Sequence, residues 1–346
     1  MIRKRWLFQT GTLFATVALG IGVVGCGGGD DESSASSDIS IGLVSDTGGI
    51  DDRGFNQYSI AGLDQAAADL GVETQVYVSE TEDDYLPNLT AAAEDGHDLV
   101  IAVGYLLGPA TIQVAPEYPD TSFAGVDHFY GGDTCAETKT CTQPNATGMI
   151  YPTEEAGYVA GVVAAMMSKS KTVSTVGGKK IPPVDNWIAG FQLGVKDTDS
   201  SVKALNAYSQ DFDDQAKCKE IALDQIGQGS DVIFQVAGDC GLAAIGAACD
   251  EGKYAIGVDA DQSAQGDCVI TSALKPLQDS VFSIIQTFVD GAFEGGQNIT
   301  YGVADLPDAE LLAPFTDAVP QDVQDAATEA TEKIKSGEVD PPATLG

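Results

Sequence analysis

Residues 39–63 read Ile39-Ser40-Ile41-Gly42-Leu43-Val44-Ser45-Asp46-Thr47-Gly48-Gly49-Ile50-Asp51-Asp52-Arg53-Gly54-Phe55-Asn56-Gln57-Tyr58-Ser59-Ile60-Ala61-Gly62-Leu63, and the chain changes character twice along them. Residues 39–44 are apolar with little interruption, which predicts a short buried strand of a parallel sheet. A polar glycine turn follows, and a 3.6-residue apolar rhythm starts only at Phe55, continuing through Ile60 and Leu63. Strand, turn and helix make the first half of a βαβ unit. In open α/β sheets ligands bind beyond the carboxyl ends of the strands, where such turns lie. Asp46, Asp51, Asp52 and Asn56 crowd this turn and can accept hydrogen bonds from ligand hydroxyl or ring N–H groups, with the flat apolar face of Phe55 beside them. The same residue types are ordinary turn and helix N-cap formers, so the stretch by itself leaves both roles open.

The pattern recurs downstream. Strands are predicted at 72–78 and 99–104, with a helix at 85–95 between them and the loop Gly104-Tyr105-Leu106-Leu107-Gly108 after the second. A helix at 111–115 leads to a strand at 122–127 that ends on Asp127, and a strand at 145–151 leads to the helix opened by Thr153-Glu154-Glu155. That helix is rich in small residues, which suits close packing on a sheet. A second alternation gives strands at 172–176, 203–209, 232–237, 254–258 and 268–272, with helices near 186–196, 213–225 and 242–250. Its turn Gly238-Asp239-Cys240-Gly241 would face backbone N–H groups toward a bound polar group. Asp259 and Asp261 mark a further acidic strand end, and Lys275 is one of few lysines. Amphipathic residues 276–290 are expected to cross back to the first half, and 320–336 form the last helix. With 346 residues and 43% hydrophobic content, two cores are expected. The fold class is α/β, with two doubly wound parallel-sheet lobes joined by a hinge: residues 39–170 plus 276–296, and residues 171–275 plus 297–346.

The N-terminus carries Arg3, Lys4 and Arg5, an apolar run over 6–24, and then Gly25-Cys26. A positive region, an apolar region and small residues before a cut describe a secretory signal over 1–25. The cysteine at the cut resembles a bacterial lipobox, with Cys26 as the lipidated first residue; an uncleaved membrane anchor is the rival reading. Residues 26–38 then serve as a flexible tether. Seven cysteines leave six for disulfides, with fifteen connectivities open. The expected pairs are Cys135–Cys141 in a polar loop, Cys218–Cys249 on two helices and Cys240–Cys268 near strand ends. Metal binding is the weaker reading, since no C-x-x-C spacing occurs and His97 and His128 are the only histidines. The formal charge is −35; after the leader is cut, 14 basic residues face 52 acidic ones, giving −38. Nucleic acid and anionic membrane surfaces would be repelled, and an acid-rich solvated surface suited to salty surroundings is the expected use of this charge.

Asp46-Thr47-Gly48-Gly49-Ile50-Asp51-Asp52-Arg53-Gly54-Phe55-Asn56-Gln57 resembles the opening signature of the basic membrane protein (BMP, PnrA-like) family, the substrate-binding lipoproteins of nucleoside ABC importers. The acid ending strand 122–127, the Trp187-to-Lys196 stretch and the Gly257-to-Lys275 region resemble the family too; the Asp239-Cys240 pair departs from its usual turn. The resemblance implies a type I periplasmic-binding-protein-like fold and no catalysis or cofactor. It implies an extracytoplasmic, lipid-anchored receptor, expected to be monomeric, that takes a nucleoside, with a purine base expected, and delivers it to an ABC permease. The ligand residues expected are Asp46, Asp52, Phe55, Asn56, Tyr105, Asp127, Phe191, Gly238, Asp259, Asp261 and Lys275, with the base between Phe55 and Phe191 and the ribose on a strand-end acid and Lys275. A receptor for sugars on the same fold is the runner-up. A hydrolase is weaker: residues 46–52 resemble the calcium signature of nucleoside hydrolases, but Ser45 and Thr47 stand where two metal-binding carboxylates belong.

Overall fold

The computed structural model describes residues 39–130, 143–304, 306 and 309–344. The leader, the tether with Cys26, and Cys135 and Cys141 lie outside the described residues, so the expectations made for them rest on sequence. Among the described residues no helix is long and apolar enough to cross a membrane.

Strand β1 (Ser40–Val44) and helix α1 (Phe55–Leu70) form where the opening stretch places them, and Gly71 ends α1 in the left-handed conformation at φ 70°. Then follow β2 (Glu73–Tyr77), α2 (Tyr85–Glu94), β3 (Leu99–Val103), α3 (Gly108–Val114), β4 (Ser122–Val126), β5 (Ala146–Ile150) and α4 (Thr153–Met167). The second half runs β6 (Thr172–Gly177), α5 (Pro182–Thr198), β7 (Lys203–Tyr208), α6 (Gln215–Gly227), β8 (Val232–Val236), α7 (Gly238–Asp250), β9 (Tyr254–Asp259) and β10 (Val269–Leu274). It closes with α8 (Leu277–Val289), β11 (Gln297–Thr300) and α9 (Gln321–Lys335). The first sheet has the order β11-β5-β4-β3-β1-β2 and the second β10-β9-β8-β6-β7, and every pairing is parallel. Two doubly wound lobes result, as expected.

The boundaries between the lobes differ from the expected ones at two places. Helix α4 was assigned to the first lobe, yet its apolar residues share one core with Val173, Phe191 and Phe234 of the second. It packs on helix α5 and not only on the sheet, through four glycines. A Cβ on Gly157 or Gly161 would strike the carbonyl oxygen of Trp187 or Phe191, and one on Gly190 or Gly194 would strike that of Glu154 or Tyr158. Strand β11 was assigned to the second lobe, yet it pairs with β5 in the first sheet. Its sequence, Gln-Asn-Ile-Thr, holds one large apolar residue, too little to signal a strand.

The chain therefore passes between lobes at Tyr151-Pro152, at Lys275-Pro276 and after Tyr301. Tyr151 and Tyr301 stack with ring centroids 5.6 Å apart, and Glu155 accepts the Val303 N–H at 3.2 Å, so two of the crossings are tied together. Helix α8 returns to the first lobe as expected: Leu277, Val281, Ile284 and Ile285 share a core with Leu63 of α1.

The cysteine pairings are corrected. Cys218 bonds to Cys240 and Cys249 to Cys268. Helices that follow strands of one parallel sheet run in the same direction, so the first turn of α6 meets the first turn of α7, and Cys218 cannot reach Cys249 at the far end.

Candidate ligand-binding site

A hollow of about 610 Å³, counting the space at its mouth, opens between the lobes at the carboxyl ends of both sheets. From the first lobe it is lined by Asp46, Thr47, Gly48, Asp52, Phe55, Gly104, Tyr105 and Asp127. The second lobe supplies an apolar wall from Ile181, Pro183, Val184, Trp187 and Phe212, then Gly238 and Asp259, and Lys275 enters from the hinge.

The β1–α1 turn is built around Asn56. Its side-chain oxygen accepts the Asp46 N–H at 3.0 Å, and its NH2 donates to the carbonyls of Asp46, Thr47 and Gly49 at 3.3, 3.1 and 3.0 Å. Asn56 is buried and does not line the hollow, so the ligand contact expected of it is corrected: it spends its donors and acceptor on the turn. Asp52 lines the hollow but accepts the N–H groups of Gly54, Asn56 and Gln57 at 3.1, 2.9 and 3.1 Å, which satisfies the first turn of α1. Asp46 takes the Thr47 N–H at 2.7 Å and the Tyr85 hydroxyl, while burial pushes its carboxyl up to about 6 against those bonds. Gly104, at φ 109°, lets the backbone pass where a Cβ would strike the Asp46 carboxylate.

Asp127 and Asp259 end or follow corresponding strands of the two lobes, β4 and β9, and both adopt left-handed backbone, φ 64° and 65°. Such conformations are strained for non-glycine residues and turn the side chains out of the strand direction. Lys275 Nζ donates to both Asp127 oxygens at 2.7 and 2.6 Å and sits over the rings of Phe55 and Tyr151, 4.7 and 4.5 Å from their centroids. Behind them His128 bridges two segments: Nε2 must donate to the Gly104 carbonyl at 2.8 Å, leaving Nδ1 to accept from Tyr130 at 2.8 Å. Burial holds its pKa down to about 4, so it is neutral. Sequence reasoning weighed His128 only as a metal ligand and missed this supporting role.

Burial pushes the Asp259 carboxyl up to about 7; Lys275 opposes the shift and the Asp127 and Asp52 charges add to it. The folded state therefore holds a proton that the unfolded chain has lost above the usual carboxylate range, so this stability is full below about pH 4 and is lost as pH rises through 7. D259N should melt at higher temperature than the wild type at pH 8, with the difference closing by pH 4; equal melting temperatures at pH 8 would contradict this.

Two further expectations are corrected. Phe191 is 0% exposed and stacks on Phe234 in the second core, centroids 5.4 Å apart, away from the hollow. Trp187, one helical turn nearer the cleft, lines the hollow instead. Asp261 lies outside it, exposed, accepting the Ser263 N–H at 2.9 Å. Tyr105 stands at the rim, 39% exposed, and Gly238 opens α7 against the hollow at φ 57°. Phe212 was missed, although residues 209–214 are a strand-end loop of the same kind as 45–54. The lobes meet around the hollow through Gln262 Nε2 donating to Arg53 O at 3.3 Å, Lys179 with Glu82, and the Asp213 carboxylate lying beside Gly48.

Two parallel-sheet lobes closed over a cleft, with the chain crossing repeatedly at one side, make a periplasmic-binding-protein-like fold. The fold is similar to that of an ABC transporter solute-binding protein from Aeropyrum pernix, with a TM-score of 0.79 over 89% of this chain and 94% of that one, at 24% identity. The chain belongs to the Bmp family, described as ABC transporter substrate-binding protein PnrA-like, which residues 39–339 match. A CD4+ T-cell-stimulating antigen of Listeria innocua is 31% identical over 353 residues, covering 94% of this chain and 96% of that protein. The ABC transporter nucleoside-binding protein BmpA of Lactococcus lactis is 27% identical over 371 residues, covering 99% and 100%.

Proposed function

We propose that this substrate-binding protein works outside the cytoplasm, tethered by lipid on Cys26, and closes on a neutral nucleoside, with a purine base expected, for delivery to an ABC permease. The observation that carries the reading is one hollow holding an aromatic ring from each lobe, Phe55 and Phe212, beside an end made of Asp127, Asp259 and Lys275. Phe212 is our choice for the stacking place expected of Phe191, with Trp187 on the same second-lobe wall. The name of the Lactococcus lactis relative points the same way.

A base between two rings gains roughly 1–3 kcal/mol per stacking contact. Ribose hydroxyls donate to Asp259, whose carboxyl oxygens are not spent on the backbone as those of Asp52 are, and accept from Lys275. Carboxylates outnumber cations here, so a 5′-phosphate meets like charge. Inosine and adenosine should bind with a Kd of about 1 μM or tighter, near −8 kcal/mol. Their monophosphates should bind at least about tenfold more weakly, given like-charge repulsion in a part-buried site. Phe212→Ala should weaken inosine roughly 5- to 150-fold, the loss of one stacking partner. Titration calorimetry over nucleosides, nucleotides, ribose and glucose checks all three; binding of ribose as tight as inosine would replace this reading with a sugar receptor.

A further inference from the structure

Phe212, one of the two second-lobe rings that line the hollow, stands on a loop, and one of the two disulfides among the described residues grips that loop. Residues 209–214 join β7 to α6 and carry Phe212 together with Asp213, which meets Gly48 of the first lobe. Much of the loop's own bonding is local: Ser209 Oγ donates to Asp211 O at 2.6 Å, and the Asp211 carboxylate accepts from the N–H groups of Asp213 and Asp214 at 3.0 and 3.2 Å. Its ties to the neighbouring helix come from one residue. The Cys240 N–H donates to Phe212 O at 2.8 Å, and the Cys240 sulfur lies 2.9 Å from Asp214 O. Cys240 stands two residues beyond the cavity-lining Gly238, whose Cβ position faces Phe212 at 3.6–3.7 Å. It is bonded to Cys218 in the first turn of α6, the helix that the loop feeds, with Cα atoms 5.6 Å apart and both residues fully buried. The bond therefore fixes the distance between the helix the loop enters and the helix the loop leans on.

The second bond, Cys249–Cys268, joins the other end of α7 to the residue before β10, and neither cysteine lines the hollow. The two bonds share a helix and differ in distance from the cleft.

We propose that Cys218–Cys240 is a positioning element of the binding site, holding Phe212 and Asp213 where they close on a ligand, while Cys249–Cys268 contributes to lobe stability alone. A cross-link removes freedom from the chain it spans, and a wall ordered beforehand need not be ordered during binding. For its ligand this rests on the nucleoside reading above; for the order of the loop it does not.

The test compares C218S/C240S with C249S/C268S in the full chain, with inosine titrated by calorimetry and amide hydrogen exchange measured over residues 209–214 without ligand. C218S/C240S should bind inosine about tenfold more weakly, the cost of ordering a few residues on binding, and should exchange faster across the loop. C249S/C268S should melt at lower temperature with its inosine Kd and loop exchange unchanged. Mild reduction of folded C249S/C268S, set beside the same variant unreduced, repeats the comparison should C218S/C240S fail to fold during expression. Unchanged inosine affinity in C218S/C240S, or equal losses in both variants, would overturn the proposal. Should wild-type protein not bind inosine, the nucleoside reading fails, and slow exchange of the loop in C218S/C240S would then refute the positioning role by itself.

Discussion

Lys275→Met is expected to destabilise the protein by about 3–5 kcal/mol, the usual cost of removing one partner from a buried ion pair, and to abolish ligand binding. The side chains of Lys275 and Asp127 are 2% and 8% exposed, and Nζ reaches both carboxylate oxygens within 2.7 Å. Methionine keeps most of the stem that packs on Phe55 and Tyr151 but leaves Asp127 charged, buried and without its cation, and it removes the group opposing the upward shift of Asp259. The remaining carboxylates then favour opening of the cleft or uptake of protons. The companion variant D127N/K275M should recover much of the stability, because neither charge is left stranded. It should not recover binding, because the cation proposed to face the ligand is gone. Urea denaturation and inosine titration of both variants separate the fold from the site; K275M within about 1 kcal/mol of wild type would mean that water reaches the pair and screens it.

Gly161→Val should cost about 3 kcal/mol or more, at the upper end for overpacking, because the obstacle is backbone. A Cβ at Gly161 meets the Phe191 carbonyl and one at Gly194 meets the Tyr158 carbonyl, so α4 and α5 are interlocked and neither can move without the other. The sign of the milder change is informative too. Gly→Ala inside an exposed helix gains about 0.5–1 kcal/mol from propensity, whereas Gly161→Ala should lose stability here. A urea melt showing a gain would mean that the two helices stand further apart than the glycine contacts require. The same interlock explains why Phe191 is absent from the cleft: its backbone is pressed against α4 while its ring fills the core over Phe234.

Much of the site was legible because its signals are local. A parallel strand delivers the residue after it to the ligand edge of the sheet wherever that strand lies, so the places of Asp46, Asp52, Phe55, Asp127, Gly238 and Asp259 followed from the chain's alternation, while their ligand roles rested on the family resemblance. What such residues do there was less legible. Asn56 and Asp52 have the chemistry of ligand contacts, and both are engaged by the turn's own N–H and carbonyl groups. Trp187 and Phe191 share one helix face, and which of them meets the hollow depends on how far along its axis α5 lies against the cleft. No periodicity encodes that distance.

By itself the sequence determined the succession along the chain of every described strand but β11, their parallel class, the two-lobed plan and the acidic strand ends, because these follow from the alternation of apolar and polar residues along a few neighbouring positions. Tertiary structure alone decided which lobe receives α4 and β11, which cysteines meet, and that Trp187 and Phe212 rather than Phe191 line the hollow with Phe55. Those outcomes depend on how separate elements rotate and slide against one another, and that is settled by shape where surfaces touch: four glycines admitting a neighbouring helix, parallel helices bringing like ends together, and a lysine placed where three crossings of the chain converge.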